Sequence, residues 1–176
     1  LESKRKNTAR TRNHRLAAIK SLAKMIRFMH PKWSASMEKI IFIPQKRTQR
    51  QLVGFLYPEE INQVLSAVYI DTALGFRDYT ILHLLFESGA RASEIAQLNL
   101  DYFNPEQGTL AILGKGNRFR QLNLSPTTVK MIKAYTINHR RRPKADYAKR
   151  LFISQHGKEL TRHGIYRLCR KYLQLA

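Results

Sequence analysis

The sequence predicts a mostly helical α+β fold, in which helices pack around a small antiparallel sheet. Apolar residues recur at three- and four-residue steps over several long segments, which is typical of amphipathic helices. Two short apolar segments flank the turn-forming residues 114–117, and they indicate a β-hairpin over 109–124. The chain has 176 residues, of which 43% are hydrophobic, so it can bury one sizeable core.

The N-terminal part is predicted to form one helix followed by a linker. The helix begins at Thr8 or Thr11 and ends at Met29, because Pro31 lacks the backbone N–H that a further turn needs. Beyond it no apolar period persists, so a basic, extended linker is expected over 31–55. The predicted divisions are residues 1–30, the linker 31–55 with a boundary near 45–55, and a main domain over 56–176.

The main domain is predicted to contain further helices around the hairpin. Pro58 opens the first of them, since proline suits a first helical turn, and Gly89 closes the next. Ser125 and Thr161 carry the hydroxyl groups that cap helix starts. The expected elements are helices at 58–69, 76–87, 91–98, 125–139 and 161 to beyond 172, the hairpin, and a short strand at 151–153.

The formal charge of +20 indicates a polyanionic partner, since a polyanion neutralises self-repulsion of that size. Residues 1–50 carry 14 basic and 2 acidic side chains, and residues 111–176 carry 16 and 2. Residues 51–110 carry 2 basic and 8 acidic side chains. The basic residues are spread over many segments, which favours nucleic acid over a membrane surface. A ribosome-type or merely soluble basic protein is the alternative that composition leaves open.

Membrane and disulfide-rich classes of protein are not expected. No stretch approaches the roughly 18 consecutive apolar residues that a bilayer-spanning helix needs. The basic N-terminus is not followed by the apolar core of a signal peptide, so we expect a soluble protein of the cytoplasm. Cys169 is the single cysteine, which excludes an internal disulfide and a zinc site built from several thiolates.

Arg91 is an isolated basic side chain inside the acidic middle block, and it follows the helix-ending Gly89. A guanidinium at that position could grip a phosphate through paired N–H donors, as phosphoryl transfer requires for the charge that develops. The same guanidinium could instead form a structural salt bridge with Glu87 or Glu94. The spacing alone leaves both interpretations open.

Lys115 lies between two glycines at the predicted tip of the hairpin. Glycine permits a close backbone approach, so the ammonium could neutralise a phosphate or donate a proton to a leaving sugar oxygen. A solvated surface lysine is the alternative. The Gly-Lys-Gly segment is too short to count as a nucleotide-binding fingerprint.

Four segments together resemble one known family. Residues 88–98 (SGARASEIAQL) resemble the box around the first catalytic arginine of tyrosine recombinases, the phage integrase family, and residues 114–118 (GKGNR) resemble the hairpin that carries the family's catalytic lysine. The spacing between the two boxes also agrees with the family. Residues 11–19 resemble the last helix of the family's core-binding domain, and residues 160–166 resemble the helix start before its second catalytic box.

The resemblance implies a tyrosine-recombinase-like catalytic core and a site-specific recombinase or integrase of mobile DNA. Arg91 would hold the scissile phosphate, Lys115 would protonate the 5′ oxygen leaving group, and Glu94 would orient the surroundings of the arginine. A tyrosine would attack the phosphodiester and form a 3′-phosphotyrosyl link. Because that link conserves the free energy of the bond for rejoining, neither a metal nor another cofactor is expected.

The resemblance also implies domains and partners. Residues 1–30 would be the last helix of the core-binding domain, and residues 56–176 the first part of the catalytic domain. The partners would be duplex DNA and other copies of the protein in a synaptic tetramer, at the nucleoid in the bacterial cytoplasm. The residues expected to contact DNA are Arg12, Arg15, Asn117, Arg118, Arg162, His163 and Arg167.

Two features of the family are missing from this sequence. The second catalytic box, H-x-x-R, is absent, since Tyr166 stands three places after His163 and Arg167 comes one place late. None of the 8 tyrosines stands at the position expected for the nucleophile. We therefore expect this chain to be an inactive portion of a longer recombinase. The alternative is a non-catalytic DNA-binding accessory protein with a recombinase-like fold, and the natural sequence beyond Ala176 would distinguish the two.

Overall fold

A computed structural model describes residues 7–48, 54–114 and 116–176 of the chain. The chain divides into two compact units, Leu1–Gly54 and Phe55–Ala176. Part of the expected linker, residues 49–53, lies outside the described residues, as does Lys115. The assignment of residues 1–30 to a core-binding domain stays a prediction.

The first unit is built on helix α1 (Ala9–Met29), which begins and ends where the sequence predicts. The Thr8 hydroxyl accepts a hydrogen bond from the Thr11 N–H and so caps the helix start. Pro31–Trp33 forms one 3₁₀ turn, and helix α2 (Ser34–Ile41) packs back on α1. The prediction of an extended linker is therefore wrong over 31–41.

Helix α2 was missed because it is too short to show a sustained apolar period. Its half-buried residues Met37, Ile40 and Ile41 form one face, and contact with α1 supplies the stability that the isolated segment lacks. After α2 the chain is held to α1 by side chains. The amide of Asn13 bonds both backbone groups of Lys46, at 2.7 and 3.0 Å.

The second unit is mostly helical and contains one small antiparallel sheet, which confirms the predicted fold class. The three strands of the sheet lie side by side in the order in which they occur along the chain. The helix that begins at Pro126 continues through a π-helical turn, Tyr135–His139. The elements are α3 (Pro58–Ser66), α4 (Ala73–Ser88), α5 (Ala92–Ala96), β1 (Phe103–Asn104), β2 (Thr109–Leu113), β3 (Phe119–Asn123), α6 (Pro126–Ala134) and α7 (Arg162–Leu175).

The predicted helix starts at Ser125 and Thr161 hold, whereas α4 begins at Ala73 instead of residue 76, with the Thr72 hydroxyl as its cap. The Ser125 hydroxyl accepts from the Thr128 N–H, and the Thr161 hydroxyl accepts from the Gly164 N–H. Helix α3 is shorter than predicted and ends at Ser66 instead of residue 69. In the turn that follows, the Tyr69 carbonyl packs on Gly75, where an added Cβ would lie 1.7 Å from the carbonyl oxygen.

The prediction of a short strand at 151–153 is wrong. Within this segment, only Ile153 forms an isolated bridge, with Glu159, and the preceding Arg150 forms another with Asn99. Leu151, Phe152 and Ile153 are nevertheless fully buried, which explains their apolar run: burial produces such a run in a strand or in an irregular core segment alike. Strand β1, in contrast, was not predicted, because two residues are too few to show alternation.

The core of the second unit lies between the helices and the inner face of the sheet. Ile81, Leu84, Ile95, Ile112 and Ile165 are each completely buried and belong to one apolar cluster. This cluster fixes the end of α4, the start of α5 and the β2–β3 hairpin relative to one another. Within the described residues, no helix combines the length and the apolar character that a bilayer crossing requires.

Candidate functional site

Arg91 stands at the junction of two helices, where the backbone turns sharply. Helix α4 ends at Gly89, whose φ of 57° is left-handed and therefore favours glycine. Arg91 is the residue that precedes α5, and its backbone N–H donates to the Glu94 Oε2 at 2.9 Å. The carboxylate thus satisfies an N–H at the helix start, as in a capping box. The turn fixes where the arginine side chain leaves the backbone.

The Glu94 carboxylate holds two guanidinium groups at this junction. Its Oε1 accepts from the Arg91 Nη1 at 2.9 Å and from the Arg120 Nη1 at 3.2 Å. Its Oε2 accepts from the Arg120 Nη2 at 2.9 Å as well as from the Arg91 backbone. Only 5% of the Glu94 side chain is exposed, compared with 72% of Arg91. The glutamate therefore anchors a cation that is otherwise open to solvent.

These contacts decide between the two salt bridges considered for Arg91. Arg91 pairs with Glu94, whereas Glu87 accepts hydrogen bonds from the Ser125 backbone N–H and the Thr128 hydroxyl. The salt bridge leaves N–H donors of Arg91 available, because one of its nitrogens bonds the carboxylate and the rest of the guanidinium faces outward. Arg91 can therefore keep its salt bridge with Glu94 and bind an anion at the same time.

The electrostatics of the site keep Glu94 ionised. Burial works to raise the pKa of the carboxyl, but hydrogen bonds from Arg120 and from the backbone and side chain of Arg91 outweigh it and lower the pKa from 4.5 to about 2. The anion is therefore present at every pH at which the protein would act. It offsets part of the positive charge of the two arginines and leaves a net cationic site.

Acidification should weaken the fold through this carboxylate. A depressed pKa contributes stability in full above the ordinary value of 4.5, and the contribution is lost as the pH falls toward about 2. We expect the free energy of unfolding of Glu94→Gln to fall less steeply over that window than the free energy of the parent protein. Urea denaturation at a series of pH values measures this. Glu106→Gln, at an exposed turn, is the control, and equal slopes for parent and Glu94→Gln would contradict the assignment.

Arg91 and the end of strand β2 line one open cavity of about 330 Å³. A Cβ added to Gly114 would lie 4.0 Å from the Glu94 Oε1 and 3.9 Å from the Arg120 Nη1, so the hairpin approaches the carboxylate closely. Lys115, which follows Gly114 in sequence, lies outside the described residues. The lining residues are Arg91, Ser93, Glu94, Gln97, Leu113 and Gly114.

A second cavity, of about 210 Å³, adjoins the first and extends to the start of α7. The two cavities share Ser93 and Gln97, and Arg162 lines the second one. An ion pair between Arg150 and Glu159, at 3.0 Å, lies in its wall. Arg91 and Arg162, which are far apart in sequence, therefore lie on neighbouring concave surfaces.

The other predicted DNA-contacting residues are distributed as follows. Asn117 and Arg118 are exposed on the hairpin, where Asn117 has a left-handed φ of 59°. His163 and Arg167 are exposed on α7. Arg12 and Arg15 belong to α1 in the other unit: Arg15 is exposed, whereas the Arg12 Nη1 donates to the Pro44 carbonyl at 3.0 Å.

Arg120 is a residue of the site that the sequence interpretation missed. It pairs with Ile112 across the sheet, and directly paired residues of an antiparallel sheet project to the same face. Since Ile112 is fully buried, Arg120 points inward and needs a buried carboxylate, which Glu94 supplies. The apolar Leu122 could have placed Arg120 on the inner face, because alternate residues of a strand share a face, but it could not have identified Glu94 as the partner.

Comparisons with known proteins agree with the motifs. The phage integrase family model matches residues 54–176. The tyrosine recombinase XerD of Staphylococcus haemolyticus is 31% identical over 164 residues, which cover 89% of this chain and 56% of that protein. The tyrosine recombinase XerC of Chlamydia muridarum is 30% identical over 167 residues, which cover 95% of this chain and 52% of that protein. The chain thus spans about half the length of the curated relatives it matches.

Solved structures show the same fold at lower sequence identity. The crystal structure of XerA recombinase superposes with a TM-score of 0.62 at 20% identity, covering 86% of this chain and 54% of that one. The Tn1549 transposon integrase, in complex with a circular intermediate DNA, gives a TM-score of 0.61 at 15% identity, covering 90% of this chain and 65% of that one. The resemblance noted in the motifs is thereby confirmed, and the chain belongs to the phage integrase family.

Proposed function

We propose that this chain is the Arg91-bearing part of a site-specific DNA strand transferase that cuts and rejoins duplex DNA. One observation carries the proposal: a largely exposed guanidinium at the mouth of a cavity is held by a buried, ionised carboxylate. A phosphate that enters the cavity meets a cation whose position is already fixed, so little reorganisation is needed when charge develops on the phosphate.

Each residue has a separate role in the proposed reaction. Arg91 donates hydrogen bonds to non-bridging oxygens of the scissile phosphate and stabilises the pentacoordinate transition state. Glu94 positions Arg91 without touching the phosphate. Lys115 donates a proton to the 5′ oxygen as its bond to phosphorus breaks. Support for Lys115 is its place in the motif and its neighbour Gly114, which lines the same cavity as Arg91.

The bond exchange needs no external energy source. A tyrosine hydroxyl supplied by the rest of the protein attacks phosphorus, gives its proton to solvent and replaces the 5′ oxygen, which takes a proton from Lys115 and leaves as a hydroxyl. One phosphodiester is broken and another is formed, so the covalent intermediate retains the free energy for rejoining. The reverse attack by a 5′ hydroxyl restores the strand and releases the tyrosine.

Covalent trapping tests this proposal. A complete protein that contains this chain, an H-x-x-R box and the nucleophilic tyrosine would be incubated with a nicked duplex selected by binding from a random pool. The nick allows the cleaved end to diffuse away, so the protein should stay attached to the 3′ phosphate and migrate as a covalent adduct in denaturing gels. Binding without any adduct would favour the non-catalytic accessory function instead.

Duplex affinity should fall steeply with salt, because the basic surface releases counterions when it contacts phosphates. The affinity should fall by about 0.9 logarithmic units per contacted phosphate for each tenfold rise in salt. Titration of this chain with labelled duplex at several salt concentrations measures the slope. A flat response would contradict duplex DNA as the partner.

We also propose how the complete protein assembles and where in the cell it acts. Four copies would form the synaptic complex on two DNA duplexes, in the cytoplasm at the nucleoid. The resemblance to recombinases supports this assembly, and the charge of +20 supports an association with DNA there. Sedimentation of the complete protein with and without its selected duplex would detect a tetramer that depends on DNA.

A further inference from the structure

A basic concavity of about 530 Å³ lies away from the Arg91 cavity and shares no lining residue with it. Two segments of the chain form it, residues 141–144, which follow the π-helical turn, and residues 155–157, which form the tip of a turn closed by the Ile153 and Glu159 bridge. The lining residues are Arg141, Arg142, Pro143, Lys144, Gln155, His156 and Gly157.

Hydrogen bonds to backbone carbonyls hold the two segments side by side. The Lys144 N–H donates to the Gly157 carbonyl at 2.8 Å, and the Arg141 Nη1 donates to the Gln155 carbonyl at 3.2 Å. Gly157 has a φ of 72°, and an added Cβ would lie 3.1 Å from the Arg142 carbonyl oxygen. Only glycine therefore allows the segments to approach this closely, so the basic side chains converge on one fixed surface.

Arg140, the residue before the concavity, has a structural role, because its side chain bonds backbone carbonyls of a neighbouring segment. Arg140 donates from Nε to the Leu151 carbonyl at 3.2 Å and from Nη2 to the carbonyls of Ala148 and Arg150, at 2.8 and 2.7 Å. These hydrogen bonds hold the 148–151 segment in place, of which Leu151 is buried. Arg142 and Lys144 make no such side-chain contacts with the residues that the structure describes, and they are exposed.

The positive charge of the concavity is not neutralised within the described part of the chain. Arg142, Lys144 and the neighbouring Lys158 form no ion pair with any described residue, and no carboxylate lines the surface. The nearby Glu159 is paired with Arg150 at 3.0 Å. Several like charges held together by the backbone repel one another, and a bound polyanion would remove that repulsion.

We infer that this concavity binds the phosphate backbone of duplex DNA, as a contact separate from the Arg91 cavity; the inference rests on the proposed function. The surface is open and its cations are exposed, which suits a row of phosphates better than one enclosed small anion. Backbone contacts carry no base information, so the concavity adds affinity and positions the duplex without selecting a sequence.

The experiment compares two double variants that each remove two positive charges. Arg142→Gln with Lys144→Gln alters the concavity, and Lys130→Gln with Lys133→Gln alters exposed lysines of α6 that do not line it. Loss of two phosphate contacts should lower the slope of log K against log salt by about 1.8 and weaken binding roughly 30-fold at about 0.15 M salt. The α6 variant should retain nearly the parent slope. Circular dichroism checks that both variants are folded.

The outcomes separate this inference from the proposed function. If the parent chain binds duplex with a steep salt slope and both variants keep it, or both lose it equally, the concavity is not a phosphate site and the proposed function stands. If the parent chain itself shows no salt-dependent duplex binding, the proposed function fails and the inference fails with it. Tight binding of acidic lipid vesicles that is lost only in the Arg142 and Lys144 variant, without a change in duplex binding, would also overturn the inference.

Discussion

Arg91→Ala is expected to slow covalent adduct formation on the order of 100-fold or more, while duplex binding stays close to that of the parent protein. The loss should be large because the guanidinium is held ready by Glu94 and acts where charge develops on the phosphate. Duplex binding should change little, since one phosphate contact is removed from many. The measurement is the single-turnover rate of adduct formation by the complete protein on a nicked duplex.

Two controls make the result for Arg91 specific. Arg91→Lys keeps the charge but loses the planar, paired donors, so it should remain strongly impaired. Lys149→Ala removes an exposed cation that lines neither cavity near Arg91, and it should leave the rate unchanged. An Arg91→Ala rate within a few-fold of the parent would contradict the site assignment.

Lys115→Ala is expected to cause a similar loss, on the order of 100-fold or more, for a different chemical reason. A departing sugar oxygen is strongly basic and needs a proton, whereas a thiolate leaves readily because the pKa of a thiol is about 8.5. Replacing the 5′ bridging oxygen of the scissile phosphate by sulfur should therefore restore most of the rate of Lys115→Ala. The same DNA should not rescue Arg91→Ala, which lacks charge stabilisation on the phosphate itself.

The sulfur-substituted duplex distinguishes a proton donor from a plain phosphate contact. If Lys115 only neutralised the phosphate, sulfur would raise the rates of the parent and of Lys115→Ala by the same factor. That result would contradict the general-acid role of Lys115 and support only a role in binding the phosphate. Equal rates of the two proteins on unmodified DNA would remove both roles.

The position of Arg91 could be predicted because a local rule determines it. A glycine that ends one helix and a glutamate three residues after the arginine define the junction, and both stand in the sequence next to Arg91. The helix starts capped by Ser125 and Thr161 were predictable for the same reason. Interactions between near neighbours leave a pattern in the sequence that can be interpreted without the fold.

The contact between Arg120 and Glu94 could not be predicted in this way, because it depends on the register of β3 against β2 and on the packing of the hairpin against α5. Phe119, the first residue of β3, is exposed, so apolar character does not mark the inner face of this strand consistently. Helix α2 and the buried segment 151–153 were likewise decided by tertiary contacts. Helix propensity and apolar periodicity are weak predictors of structure where a segment is short.

The most direct measurement is a structure of the complete protein bound to a duplex that carries an intact scissile phosphate. We predict that an Arg91 Nη lies within about 3 Å of a non-bridging oxygen and the Lys115 Nζ within about 3 Å of the 5′ oxygen of the same phosphate. Contacts from these two side chains to different phosphates, or a guanidinium turned away from DNA, would contradict the assignment of one shared catalytic anion.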